Sequence, residues 1–535
     1  MGLRLICAVL AGVCCAQFAQ AAGLDSIFGR HRAVMAELSS LFHDNPVEIV
    51  FADGEIGDGK RIGFHWQFGR FRQEYNWLGF TEVFGYDGVD HWYGSDLSLP
   101  YSLNPSAIPD VTAELIRNFQ YLQPSQAGFI TLPEDVPLDL DERYVVLRYL
   151  PPGMSESLLL LDPFDFRLAG FVLGTLRLIE QAPVYRVTTL EEWADYGSCW
   201  YPTVIRTTSV SPEGDVLKEK RHTALSVEVA EALLPGMFSP SSSPPVPQPA
   251  LPSVPYVVPF SYTNQTVLVR CRDPQGRTRK LELDTGAAVG VLRRDTAGEI
   301  GLELRGDETV TGHGTTAAVE FGRVEGFVLE GAGRDYSVAL PPWPAAVFSD
   351  SAIMDESLKS KNADGLLGNF LLSNFVVTLD YRRRQMLLYP PSQFDPAIHL
   401  GEGYDVIEVT RDSMPFVQVE VDGQIRGGAF FNTGAQQYFT LAAWACDAAG
   451  ITYPVEEFAE AVTISGYTAF GIIRPEEVRI GRLVLEKPRT HLEILAPGEA
   501  PNPNRIASFG NEFFSRTRVT FDLFSRSYYI EDFRQ

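Results

Sequence analysis

The chain has 535 residues, too many for one ordinary hydrophobic core, so its length implies two to four domains. Apolar residues make up 45% and charged residues 21%, the balance of a globular protein, and the formal net charge is −24. Acidity on that scale argues against nucleic acid and against anionic lipid surfaces as partners, because both are recognised by basic faces.

Residues 1–21 read as a secretory signal. Arg4 is the only charged side chain before the apolar run LICAVLAGVCCA, and Ala19-Gln20-Ala21 is a small-x-small cleavage site. The run is short for a bilayer span, and Val13 ahead of Cys14 fits lipoprotein processing poorly. The expected protein is exported, periplasmic or extracellular, with no stable membrane span. Cys7, Cys14 and Cys15 leave with the signal. Cys199, Cys271 and Cys446 are too scattered for a disulfide framework or a zinc site and are expected to be buried.

Residues 22–235 open with a helical pattern from Leu24 to His43, apolar at Ile27, Val34, Leu38 and Leu41. Short strand-like runs follow: RIGFHWQF, RFRQEYNWLGF, TEVFGYDG, YVVLRYLPPG, SLLLLDP, RLAGFVLG, YRVTTL and TVIRTTSVSPEG. Many short strands and little helix predict a curved antiparallel sheet packed on a helix. No nucleophile elbow, zinc-protease or P-loop motif occurs here. Asp53, Glu55 and Asp58 in DGEIGDGK depart from calcium-loop spacing and read as a solvated turn. The order of GYDGVDHW, LLLDPFDFRL and DYGSCWYPTVIRT loosely resembles the sheet-and-helix domain of periplasmic lipoprotein-carrier proteins. That resemblance implies a half-barrel suited to an apolar ligand.

A proline- and serine-rich stretch, MFSPSSSPPVPQPALPSVP, marks residues 236–255 as an extended linker. Beyond it the sequence repeats itself. One half, residues 256–394, contains LELDTGAAVGVL and then DGLLGNFLLSNFVVTLDYRRRQMLLYP. The other, residues 402–535, contains AFFNTGAQQYFTL and then ASFGNEFFSRTRVTFDLFSRSYYI. From Asp284 to Gly368 is 84 positions, and from Asn432 to Gly510 is 78. From Gly368 to Asp380 and from Gly510 to Asp522 is 12 in each case. Two patterned elements recurring in order at matched spacing predict a duplicated domain.

A lone D-T-G is weak evidence. Here it ends an apolar strand, a second apolar run follows, and Gly365-Leu366-Leu367-Gly368 answers it downstream. The whole arrangement resembles the retropepsin-like and pepsin-like aspartic protease family, each half covering most of one β-barrel lobe. The resemblance implies that Asp284 is the catalytic carboxylate and that Thr285 and Gly286 hold its loop, the threonine hydroxyl bonding across to the partner lobe. Thr433 and Gly434 are their counterparts. It places a flap hairpin at VTGHGTTAAVEF with Gly312, His313 and Gly314 at its tip, and a second flap at ISGYTAFG, Ile464 to Gly471. The family chemistry needs two carboxylates sharing one proton, one activating water and the other polarising the peptide carbonyl, with no metal or organic cofactor.

Asn432 stands where the second carboxylate belongs. An amide can hold the loop but cannot shuttle a proton near neutral pH. The second half also carries Ala507-Ser508-Phe509-Gly510 in place of Gly-x-x-Gly. Three readings follow. In the first, the chain is a bilobal homologue whose cleft binds a peptide or protein while hydrolysis is weak or lost, Asn432 being the disabled counterpart of Asp284. In the second, two D-T-G lobes from separate chains form an active homodimeric peptidase. In the third, the protein is a non-catalytic envelope protein that binds lipid or a hydrophobic partner. Tethering of the second lobe favours intramolecular pairing over the homodimer.

Overall fold

The computed structural model describes residues 23–53, 61–67, 70–102, 113, 116, 119–133, 136–150, 156–174, 185–197, 199–210, 214, 216–230, 233–234, 236–242, 251, 253–312, 315–333, 337–349, 352–411, 414–463, 466–494 and 505–532. The proposed signal, Glu55, Asp58, His313, Gly314, Ile464, Ser465 and part of the proline-rich stretch lie outside these residues. The fold is mainly β, as the sequence implies. The chain divides into two compact units: Met1–Trp77, Thr81–Tyr93 and Ser102–Ser242 form one, and Leu78–Phe80, Gly94–Tyr101 and Ser243–Gln535 the other.

Two meanders build a thirteen-stranded sheet, joined where strand Val47–Asp53 pairs antiparallel with strand Val216–Val229. Val47, Ile49 and Phe51 point into the core at alternating positions, the period of a half-buried strand. Strand Val216–Val229 carries no such signal in its sequence. Of its apolar side chains Ala224 and Val227 are buried, while Val216 and Leu225 are exposed. Glu219 and Arg221 on it are exposed, and Glu219 pairs with Arg206 at 3.2 Å on the neighbouring strand.

The expected helix from Leu24 to His43 is two helices, Leu24–Val34 and Ala36–Asp44, meeting at Met35. The buried stripe runs Ile27, His31, Met35, Leu38, Phe42, and Val34 is 47% exposed. A histidine on the inner face hid this stripe from a purely apolar pattern. His31 is fully buried, with Nδ1 2.7 Å from the Phe166 carbonyl and Nε2 2.8 Å from the Tyr121 hydroxyl. A carbonyl only accepts, so Nδ1 carries the proton and Nε2 accepts from the tyrosine. The ring is therefore satisfied as the neutral tautomer. The first seven residues of the expected linker also belong to this unit. Trp92 Nε1 donates to Phe238 O at 2.7 Å, and Arg72 Nη1 reaches Met237 O at 3.0 Å and Ser242 Oγ at 2.6 Å.

The second unit holds 24 strands in two consecutive halves that repeat one plan. In the first, strand Thr278–Leu283 runs parallel to Gly365–Leu367, which pairs antiparallel with Gly290–Leu292. In the second, strand Ile425–Phe431 runs parallel to Ala507–Phe509, which pairs antiparallel with Phe439–Ala442. Each half thus threads a short strand between the two that flank its D-T-G or N-T-G loop. The halves share one ladder: strand Val376–Asp380 pairs antiparallel with Thr517–Asp522, Thr378 opposite Thr520. Those two threonines are fully buried, and their hydroxyls are 2.7 Å apart. Asp380 and Asp522 recur at the same spacing for a local reason: each accepts from backbone N–H groups of the turn that follows, Arg383 N in one case and Phe524 N in the other.

Burial lowers the His31 pKa from 6.5 to about 4, against the raising effect of its bond to Phe166 O. The unfolded chain therefore binds the proton first, and the stability held above pH 6.5 falls as pH drops through 6.5 towards 4. The full effect is about 3 kcal/mol. Urea unfolding followed from pH 7.5 to 4 should show a steep loss in the wild type. In His31→Gln this part of the slope should be absent.

Candidate active site

The Asp284 and Asn432 loops are locked together by their threonines. Thr285 Oγ1 donates to Phe431 O at 2.5 Å and accepts from Thr433 N at 3.0 Å. Thr433 Oγ1 donates to Leu283 O at 2.7 Å and accepts from Thr285 N at 3.1 Å. Each hydroxyl bridges the strand end and loop of the opposite lobe, and both threonines are at most 3% exposed. Four buried polar backbone groups are satisfied across the lobe boundary in this way. Each left unpaired would cost about 1–3 kcal/mol.

This lock fixes the two facing side chains. Gly286 N donates to Asp284 Oδ1 at 2.9 Å, and Gly434 N donates to Asn432 Oδ1 at 2.8 Å. The second bond orients the amide, because only its oxygen can accept from an N–H. Asn432 thus mimics the loop-holding half of a carboxylate. The approach is close enough to require glycine. A Cβ on Gly434 would overlap the Asp284 carboxylate, and a Cβ on Gly286 would overlap the Asn432 amide. Behind each loop the threaded strand supplies the next support: Asp284 N donates to Leu367 O at 2.9 Å and Asn432 N to Phe509 O at 2.8 Å. Ala507 takes the place of Gly365 with 3% exposure, so losing that glycine leaves the strand in register.

Every loop residue singled out in the sequence is therefore gathered at one point: Asp284, Thr285 and Gly286 from one lobe, Asn432, Thr433 and Gly434 from the other. The expected flaps are hairpins. Strands Arg305–Gly312 and Thr315–Val324 pair with Gly312 opposite Thr315, and strands Glu457–Thr463 and Gly466–Ile473 pair with Thr463 opposite Gly466.

Sequence reasoning missed three supports: Asn511, the Tyr381 hydroxyl that donates to it, and a buried ion pair. Asn511, fully buried, donates to Gln265 O at 2.8 Å and to Thr433 O, and accepts from the Tyr381 hydroxyl at 2.6 Å. Its counterpart Asn369 has no such partner. Leu523 replaces the tyrosine, Asn369 Nδ2 turns to Met414 Sδ at 3.1 Å, and its buried Oδ1 accepts nothing from the described residues. The third support is an ion pair. Glu282 is 1% exposed, and Lys361 Nζ lies 2.8 and 3.0 Å from its two oxygens. Burial pushes the Glu282 carboxyl up to about 7; Lys361 opposes the rise, and the charge of Asp284 adds to it. The signal available in the sequence was the Glu in LELDTG, an ionisable residue set between two leucines just ahead of the loop.

Thr285→Val and Thr433→Val keep the shape of the side chain and remove the hydroxyl. Each should lower the stability of this unit by about 1–3 kcal/mol per orphaned backbone group. The double variant should cost less than the sum, because either change already parts the loops. Urea unfolding of the four chains forms the cycle, and additive costs would show that the two hydroxyls act independently.

No family model and no curated protein matches the chain. Among solved structures it is similar to basic 7S globulin from soybean, at 10% identity and a TM-score of 0.32, over 53% of this chain and 95% of that one.

Proposed function

We propose that this chain is an aspartic-peptidase homologue whose cleft between the two lobes of the second unit holds an extended peptide over Asp284 and Asn432, with hydrolysis weak or lost. The reciprocal threonine bonds carry this reading, because they hold a carboxylate and an amide in paired loops without any second chain. Asp284 can accept a proton from an attacking water. Asn432 can donate a hydrogen bond through Nδ2 to a carbonyl but has no proton to give. The site is therefore built for binding and polarising, with one of two acid-base roles missing. Losing such a partner costs typically about 10²–10⁴ in rate.

The homodimeric reading is less well supported. Pairing two Asp284 loops from separate chains requires Thr285 to leave Thr433, which already fills both of its bonding positions within one chain.

A mixed peptide library offered from about pH 3 to 8 tests the proposal. The wild type is expected to bind peptides and cut slowly or not at all. Asn432→Asp should raise cleavage by about 10²–10⁴, and adding Asp284→Asn should abolish it. Fast cleavage by monomeric wild type, or a folded Asn432→Asp chain that binds nothing, would overturn it.

A further inference from the structure

The two lobes repeat each other's loop geometry but not the charge behind it. Glu282 sits two residues before Asp284, near the end of strand Thr278–Leu283, and the charge of Asp284 acts on it. Opposite it across the ladder are Leu268 on one neighbour and Leu366 on the other, neither titratable. The charged groups that act on it are Lys361, just past helix Ala352–Ser360, and Asp284 itself. Lys361 grips both carboxylate oxygens, and its side chain is 17% exposed.

The equivalent position in the second lobe is Phe430, whose ring stacks on Phe416 at 4.5 Å. That lobe has a buried ion pair of its own, Glu493 with Arg505 at 2.8 Å. It lies on strand Thr490–Glu493, which pairs with Phe439–Ala442 and not with the strand that carries Asn432. A charged pair beneath the loop therefore accompanies the aspartate, and among the described residues none takes the matching place beneath the asparagine.

Stability does not account for this choice. Two charges removed from water gain little net free energy over a well-packed apolar pair, and Phe430 on Phe416 is such a pair at the matching place. What the ion pair adds is a field. Glu282 is buried and feels the charge of Asp284, so the two interact through a medium less screening than water.

We propose that Glu282 and Lys361 are a positioning pair for Asp284. Their bidentate contact pins the strand end that carries the loop, and their charges set the charge state of the one carboxylate left in the cleft. In a two-carboxylate site the partner across the cleft supplies that influence. Here residue 432 is neutral and the influence comes from behind. The inference rests on Asp284 being the functional carboxylate, but its test does not require that any peptide be cut.

The test is a carbon-13 NMR titration of the full chain labelled at aspartate and glutamate carboxyl carbons. The Asp284 resonance is identified by its loss in Asp284→Asn. Lys361→Gln removes a cation and should raise the Asp284 midpoint by about one pH unit. Glu282→Gln resembles the protonated glutamate already present where an aspartate titrates, and should leave that midpoint in place. In the wild type, the Asp284 resonance should also show a second inflection at the midpoint of one glutamate, missing in Glu282→Gln. This last observation serves if a variant does not fold. An Asp284 midpoint that stays within about 0.2 unit in Lys361→Gln, or a wild-type curve with a single step, would reduce the pair to a structural ion pair and overturn the proposal. A folded Asn432→Asp chain that binds no peptide would count against the proposed function alone.

Discussion

The second unit depends on two hydroxyl groups. Thr285 and Thr433 each reach into the other lobe and satisfy one backbone N–H and one carbonyl there. These bonds are short, buried and reciprocal, so neither loop can take its shape alone. Everything the site could do follows from that closure. It brings residues 284 and 432 face to face, forces glycine at 286 and 434, and lets the threaded strands at Leu367 and Phe509 brace the loops from behind. The shared ladder through Thr378 and Thr520 repeats the same logic at the base of the unit.

Against that common frame, the lobes differ where chemistry and not geometry is at stake. Threonine, glycine and the closing Gly368 and Gly510 are kept on both sides. Asp284 faces Asn432, Glu282 corresponds to Phe430, and Tyr381 corresponds to Leu523. The last exchange shows how one side chain propagates. With tyrosine present, Asn511 saturates its hydrogen bonds; with leucine in its place, Asn369 keeps a buried oxygen without an acceptor role among the described residues. The frame is symmetric, and the electrostatics placed on it are one-sided.

Much of this was legible in the sequence because it lies in contiguous motifs. The two T-G loops, the spacing to Gly368 and Gly510, and the hairpins that follow are local patterns, and the duplication made each half a check on the other. The capping role of Asp380 and Asp522 lay behind a spacing that could be counted before it could be explained. What stayed hidden depends on tertiary pairing. Lys361 is 79 positions from Glu282, and nothing in a one-dimensional pattern links them. Strand Val216–Val229 went unread because its apolar side chains do not alternate, and Ala224 and Val227 are buried only against the rest of the sheet and its helices. The stripe through His31 breaks an apolar count because the ring's partners, Tyr121 and Phe166, come from distant segments. A proline-rich run predicts an extended chain, but not that Phe238 would be anchored under Trp92.

The ladder between strands Val376–Asp380 and Thr517–Asp522 has a mechanical consequence. Lobes joined only by a linker could swing apart as rigid bodies. Lobes that share a continuous run of backbone hydrogen bonds, with a buried hydroxyl pair at its centre, cannot rotate without shearing that run. The base of the second unit therefore behaves as a stiff beam, and the separation of residues 284 and 432 is set when the chain folds. The two hairpins share that constraint, because strand Thr315–Val324 also pairs with Trp343–Phe348 and strand Gly466–Ile473 with Thr490–Glu493, so neither hairpin can tilt as a free body.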